Sequence, residues 1–302
     1  MRTSLGAAIT AVCSLAFALS AGASGPEPTA PSTPEQQAPK KLLFLTHAAL
    51  YKHTSLGPAE RAVTSWGSDA GFEVTTLEGY LQDQQELDLS MITPEYLAQF
   101  DGLMMMTNGN LPLEDSQKRA IVDFVAGGGG FVGVHCAALT LYDYPDFGQM
   151  LGAYFRRTAA PGRLVVLKVE DQDHPATRML GASWPILDEF YLYGTAPWSE
   201  DRPDENVDIL FGNRIPVGFS RDRVHVLLSI DTNETDLDGL QDVELGGDYP
   251  QSWVQDFGEG RSFYTSLGHR DDIWSNDPVF RAHVVGGIRW ALGLEAADAP
   301  RP

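Results

Sequence analysis

The stretch Gly127-Gly128-Gly129-Gly130-Phe131-Val132-Gly133-Val134-His135-Cys136-Ala137 decides how this chain folds. Before it, Glu114 to Ala126 carries acids in its first turn and sets Ala120, Ile121, Phe124 and Val125 on one face, so a helix is expected there. The four glycines end that helix, and Phe131 to Val134 is a continuous apolar run of the kind buried on both faces of a parallel sheet. A phosphate cradle must follow a strand and open a helix. This glycine run does the reverse, so it is read as a structural turn. At the far end, Gly133-Val134-His135-Cys136-Ala137 has the form of a strand-to-helix turn that lifts its central side chain to the top of a sheet, where hydrolases place Ser or Cys. Here the central residue is His135. Cys136 is one step off and reads as a small packed residue.

Working outward, the same rhythm repeats. Leu42 to Leu45 and Leu103 to Met106 are further buried apolar runs, and Phe72 to Thr76 reads as a strand. Helices are expected over Pro58–Ala70 and Thr93–Phe100. A strand recurring roughly every 30 residues with helices between is the pattern of a parallel α/β sheet. Downstream, Leu164–Val169, Ile209–Phe211, Val224–Ile230, Gln251–Gln255 and Arg261–Leu267 read as strands. The last helix is capped by Asp277, begins at Pro278, shares Phe280, Val284, Ile288 and Ala291 on one face, and stops at Gly293. No repeat or internal boundary is evident, so one α/β domain is expected over residues 41–294, followed by a tail at 295–302.

Composition narrows the function classes. The 302 residues hold 21 Lys+Arg against 41 Asp+Glu, and a net charge of −20 argues against nucleic-acid binding. A hydrophobic content of 43% argues against wholesale disorder. Residues 1–23 read as a secretory signal, with Arg2, an uncharged run from Leu5 to Leu19, and Ala21-Gly22-Ala23 as the cleavage pattern. The run falls short of the ~20 residues of a membrane span. The expected product is an exported protein, periplasmic or extracellular, with no membrane span after cleavage. Residues 24–40 form a Pro-rich disordered linker, with five prolines between Ser24 and Pro39. Cleavage removes Cys13 and leaves Cys136 as the single cysteine, so no internal disulfide is expected.

In open parallel sheets, ligands bind beyond the carboxyl ends of the strands. His47 and His53 follow the first strand, Asn108 the third, His135 the fourth, and His269 the strand ending at Leu267. Asp188-Glu189 stands beside Tyr191 and Tyr193, where a carboxylate suits a general base or a sugar-hydroxyl acceptor and equally suits a solvated strand edge. Trp198 and Trp274, in loops, are expected as sugar-stacking faces, and Trp290 as core. Asp231 to Pro250 carries seven acids in twenty residues and reads as a solvated loop over the site. Its Asp236-Leu237-Asp238-Gly239 lacks a full calcium-ligand series.

The chain resembles the trehalose-utilisation ThuA-like family over about Lys41 to Gly293. The resemblance is carried by Thr46-His47 through Lys52-His53-Thr54-Ser55, by Gly128 to His135, and by His174-Pro175-Ala176-Thr177. It continues in Asp188-Glu189-Phe190-Tyr191, Trp253 to Arg261, Leu267-Gly268-His269 and Trp290-Ala291-Leu292-Gly293. It implies a flavodoxin-like, class I glutamine amidotransferase-like sheet with extra strands. It also implies that His135 stands where amidotransferases keep a nucleophilic Cys, so glutamine hydrolysis is not expected. Cys136 departs from the small residue the family usually carries after that His. The substrate class implied is disaccharides, chiefly trehalose and oxidised sugars.

The expectation is therefore an exported carbohydrate-processing protein, a hydrolase or lyase if an enzyme. His53, His135, Glu189 and His269 are its catalytic residues, and His47, Asn108, Tyr191 and Trp198 bind substrate. His135 would serve as acid/base or metal ligand. His53, His135 and His269 are the candidate ligands for a divalent ion such as zinc, with Glu189 as base or hydroxyl acceptor. The alternatives are a non-catalytic sugar-binding or interaction module on the same fold, and an amidase using Cys136. The partner is a small carbohydrate. Oligomeric state is not legible.

Overall fold

The buried apolar runs pair side by side. In this computed structural model, which describes residues 38–80, 88–158, 162–236 and 247–296, β1 (Lys40–Ala48) pairs in parallel with β2 (Phe72–Tyr80) and β3 (Gly102–Met105). β3 pairs in parallel with β5 (Gly130–Val134), and β5 with β13 (Gly260–Thr265). Leu42, Gly102, Gly130 and Arg261 lie in one row across these strands, so β3, β5 and β13 end within a residue of one level and β1 runs three residues beyond it. That level is the rim expected to carry the site. The signal sequence, the linker through residue 37, the calcium-like segment beyond Asp236 and the end of the tail lie outside the described residues.

Two fragments extend the rim. β4 (Asn108–Gly109) pairs with Ala48 at the end of β1 and with β6 (Leu139–Thr140). On the other side the sheet turns antiparallel: β13 pairs with β12 (Pro250–Phe257), then β11 (His225–Ile230), β8 (Arg163–Val169) and β9 (Ser183–Asp188). The result is an 11-stranded sheet ending at β9, an edge strand that carries Pro185. β10 (Tyr191–Tyr193) leaves it to pair with β7 (Phe155–Thr158) as a separate ribbon.

Helices α1 (Leu56–Ala70), α5 (Asp271–Asn276) and α6 (Pro278–Ala291) pack together, while α3 (Asp115–Ala126) packs with α2 (Pro94–Leu97) and α4 (Pro145–Leu151). The Asp277 side chain accepts from the amides of Val279 and Phe280 with Pro278 at the first position, as the sequence indicates. Gly130 lets α6 approach: a Cβ there would stand 2.5 Å from the Ala291 carbonyl oxygen. This is the expected α/β, flavodoxin-like, mostly parallel sheet with helices on both faces and added strands in the second half. Among the described residues, no helix is long and apolar enough to cross a membrane.

Three expectations are corrected. Ile209-Leu210-Phe211 is not a strand but an exposed turn, because the carboxylate of buried Asp208 accepts from the amides of Leu210 (2.8 Å) and Phe211 (3.4 Å) and bends the chain. The helix expected over Thr93–Phe100 shortens to Pro94–Leu97. Trp274 is no sugar platform: it is 2% exposed, stacks on Trp66, and donates its indole N–H to the Gly268 carbonyl at 3.0 Å. Trp290 is core, as expected.

Candidate functional site

Four segments distant in sequence converge on the rim. The loop after β1 presents His53, and Asn108 shapes that loop. The Asn108 Oδ1 accepts from the amides of Leu50 (2.8 Å) and Tyr51 (3.1 Å), and its Nδ2 donates to the Tyr51 carbonyl (2.7 Å). Asn108, expected to bind substrate, is thus committed to positioning the residues next to His53.

His135 follows β5 directly, in a left-handed backbone conformation with φ of 46°. A non-glycine residue is held there only when its surroundings over-determine it. Here the Tyr264 hydroxyl donates to the His135 carbonyl at 2.9 Å, and the His135 Nδ1 lies 2.6 Å from the Ser266 carbonyl oxygen. A carbonyl only accepts, so Nδ1 carries a hydrogen and Nε2 is the nitrogen turned toward the group. The Tyr191 hydroxyl lies within hydrogen-bond distance of that nitrogen, at 2.9 Å.

Glu189 and His269 complete the group. Glu189 Oε2 lies 3.0 Å from His269 Nδ1 and 3.4 Å from His135 Nε2, and the two imidazole nitrogens are 3.3 Å apart. The His53 ring meets those of His135 and His269 edge-on, with centroids 4.8 and 5.4 Å away. One ligand atom from each of His53, His135, Glu189 and His269 lies within 4.8 Å of the others.

Electrostatics sort the protonation states. Burial raises the Glu189 carboxyl, but hydrogen bonds and charge from His135 and His269 outweigh it and hold the group well below the carboxylate range. The bond to Glu189 raises His269 against a smaller desolvation effect. Burial, reinforced by His135 and His269, keeps His53 well below the ordinary imidazole value, so it is neutral near pH 7, and its Nδ1 is buried without a partner.

The group fits a divalent ion. Nitrogen or oxygen ligands at 2.0–2.1 Å from a tetrahedral ion stand about 3.4 Å from one another. The spacings of 3.0, 3.3 and 3.4 Å among Glu189, His269 and His135 are of that size. An imidazole whose far N–H donates to a carbonyl, as that of His135 does to Ser266, is the usual arrangement for a metal-binding His.

Other expected residues fall elsewhere. His47 is buried on β1 outside the group, and burial pushes its imidazole down to about 4. Trp198 packs under the Arg214 guanidinium and donates to the Pro203 carbonyl. Cys136 is fully buried and its thiol is pushed up to about 12 by desolvation, which removes the thiolate an amidase would need. Asp188 and Glu189 are not a solvated pair: both are buried.

Sequence reasoning missed the supports. Asp188 accepts from the amides of Gly268 (2.7 Å) and Arg270 (3.1 Å), fixing the loop that carries His269. Gln251 Oε1 accepts from the Ser266 hydroxyl (2.6 Å) and the Tyr191 amide (3.2 Å), and Nε2 donates to the Tyr191 carbonyl (2.9 Å). One buried amide therefore ties together the two residues that contact His135 from opposite sides. Asp188 was signalled by its place beside Glu189, whereas nothing local marks Gln251 or Ser266.

Comparison with known proteins agrees with this architecture. A ThuA-like protein from Bacteroides uniformis is 24% identical, with a TM-score of 0.59 over 84% of this chain and 92% of its own. A ThuA-like protein from Parabacteroides merdae is 19% identical, with a TM-score of 0.62 over 86% of this chain and 92% of its own. No curated protein matches the sequence. The ThuA family profile, described as Trehalose utilisation, matches residues 41–215 and 213–291. On that match, spanning nearly all of the described chain, the protein belongs to the ThuA family.

Proposed function

We propose that this protein is an exported, metal-assisted carbohydrate-processing enzyme whose active centre is the His53–His135–Glu189–His269 group. Family membership gives the coarser link to trehalose utilisation. The observation that carries the finer reading is the convergence of three imidazoles and one carboxylate, from four separate segments, within 4.8 Å.

In this reading His53, His135 and His269 would hold a divalent ion such as zinc, with the Glu189 carboxylate beside it. Such an ion, when bound, polarises an oxygen ligand and lowers the pKa of water. Glu189, ionised at neutral pH, accepts a proton or a sugar hydroxyl. The Tyr191 hydroxyl holds a proton beside His135 Nε2, and the Ser266 carbonyl keeps that imidazole in one tautomer.

Metal analysis of the purified protein and of His135→Ala tests this, with turnover of trehalose and its oxidised derivatives followed in parallel. About one equivalent of zinc or a similar ion in the wild type, lost together with turnover in the variant, is the expected result. Absence of metal and of turnover would leave a sugar-binding module. Amino-terminal sequencing of protein recovered outside the inner membrane tests export.

A further inference from the structure

Beside the histidine group lies a cavity of about 350 Å³, lined by Arg156, Tyr191, Tyr193, Phe219, Asp248 and Tyr249 among others. It touches the group through Tyr191, whose hydroxyl reaches His135. Its charges are unequal in their attachments. Asp248 is gripped at 2.7 Å by both Nε and Nη2 of Arg221, whose Nη1 and Nη2 also bind Glu170. Arg156 has no such partner: no hydrogen bond or ion pair engages its guanidinium among the described residues, and its Nε is buried without an acceptor. The carboxylate that shares its cavity, Asp248, is turned to Arg221 instead.

The backbone sets Arg156 apart as well. On the β7–β10 ribbon, Leu192 opposes Arg157 and Tyr193 opposes Phe155, so Arg156 is the extra residue of a bulge. Its carbonyl accepts instead from the Ile209 amide at 2.9 Å. Bulges of this kind re-aim a side chain next to functional sites.

We infer that this cavity is a recognition site for an acidic sugar, with the Arg156 guanidinium binding the carboxylate and the aromatic walls taking the ring. The inference rests on the carbohydrate reading above. A guanidinium matches a carboxylate through two parallel hydrogen bonds, which a neutral hydroxymethyl group cannot reproduce. The volume is at the lower end of that of small-ligand pockets and suits one sugar ring.

The test is calorimetric binding of D-glucuronate and D-glucose, which differ only in oxidation at C6, to the full-length protein. Wild type, Arg156→Ala, Arg156→Lys and His135→Ala are compared, each checked for an unchanged melting profile. The expected result is at least tenfold tighter binding of glucuronate than of glucose, a preference abolished in Arg156→Ala, reduced in Arg156→Lys, and kept in His135→Ala. Survival of the preference in Arg156→Ala, or its loss in His135→Ala alone, would place the carboxylate at the histidine group and overturn the assignment. Failure of the wild type to bind either sugar would overturn it through the carbohydrate reading. Should Arg156→Ala not fold, Arg156→Lys carries the decision: undiminished preference there would overturn the bidentate contact.

Discussion

Asp188 and Glu189 are neighbours in the chain and hold the same loop by different means. Asp188 takes the backbone, accepting from the amides of Gly268 and Arg270, while Glu189 takes the side chain between them, at 3.0 Å from His269 Nδ1. Three consecutive residues are thereby fixed by two. Replacing Asp188 by Asn leaves one oxygen for two amides and turns an NH₂ toward one of them. The expected cost is about 1–3 kcal/mol, read as a lower urea midpoint, because the loop that carries His269 loses its anchor. An unchanged midpoint would show that Asp188 does not position the loop.

A second prediction concerns Gly268, whose φ is 123°. A Cβ there would lie 3.0 Å from Trp274 Cζ2 and 3.1 Å from Val134 Cγ1, both in the core. Gly268→Ala combines backbone strain with crowding and should destabilise the protein by about 2–4 kcal/mol. Thermal unfolding decides it, and a loss below ~1 kcal/mol would mean that the turn relaxes freely.

Acid should destabilise the fold below neutrality. Burial pushes His47, His174 and His283 down to about 4, so between that value and the ordinary 6.5 the unfolded chain binds protons that the folded one refuses. Stability from each is full above 6.5 and is lost as pH falls toward 4, by up to about 3 kcal/mol per group. All three stand outside the His/Glu group, so the effect does not depend on a bound ion. The Glu189–His269 pair adds a term with two limits. The depressed Glu189 loses its contribution as pH falls below its ordinary 4.5, and the raised His269 loses its own as pH rises above 6.5. Urea midpoints measured from pH 8 to pH 4 should therefore peak near neutrality and drop steeply on the acid side. A flat acid limb would contradict the buried neutral imidazoles.

Cys136 should be inert. With the thiol fully buried and pushed up to about 12, a maleimide added to the native protein should label it at background rate, and label it fully in denaturant. Rapid native labelling accompanied by loss of turnover would restore the thiol mechanism.

The parallel half of the sheet was legible because its strands are buried on both faces and write themselves as unbroken apolar runs, as in Leu42–Leu45 and Phe131–Val134. The same signal misled at Ile209–Phe211, where three apolar residues ride an exposed turn made by Asp208, a residue the run does not include. β9 was missed because Trp184, Pro185 and Asp188 mix signals that no periodicity resolves. The rim rule located His53, His135 and His269, since each follows a strand end. It also brought in His47 and Asn108, which share the rim without joining the group. What no local pattern carries is the support from across the sheet: Gln251 and Ser266 act through partners sixty and more than a hundred residues away.

The edge strand β9 has a consequence for how molecules of this protein meet. It closes one end of the long sheet, and its partner β8 lies on one side only. An unpaired edge invites another chain to extend the ladder, and exposed Leu164 and Leu187, which face each other across the β8–β9 pair, would add to the attraction. Pro185 sits in the middle of that strand. Proline is tolerated within a sheet where its nitrogen faces away from the ladder, so the missing N–H is one that the open side would have offered. Strand-by-strand growth from one molecule to the next is therefore opposed at this edge by a residue that has no donor to offer.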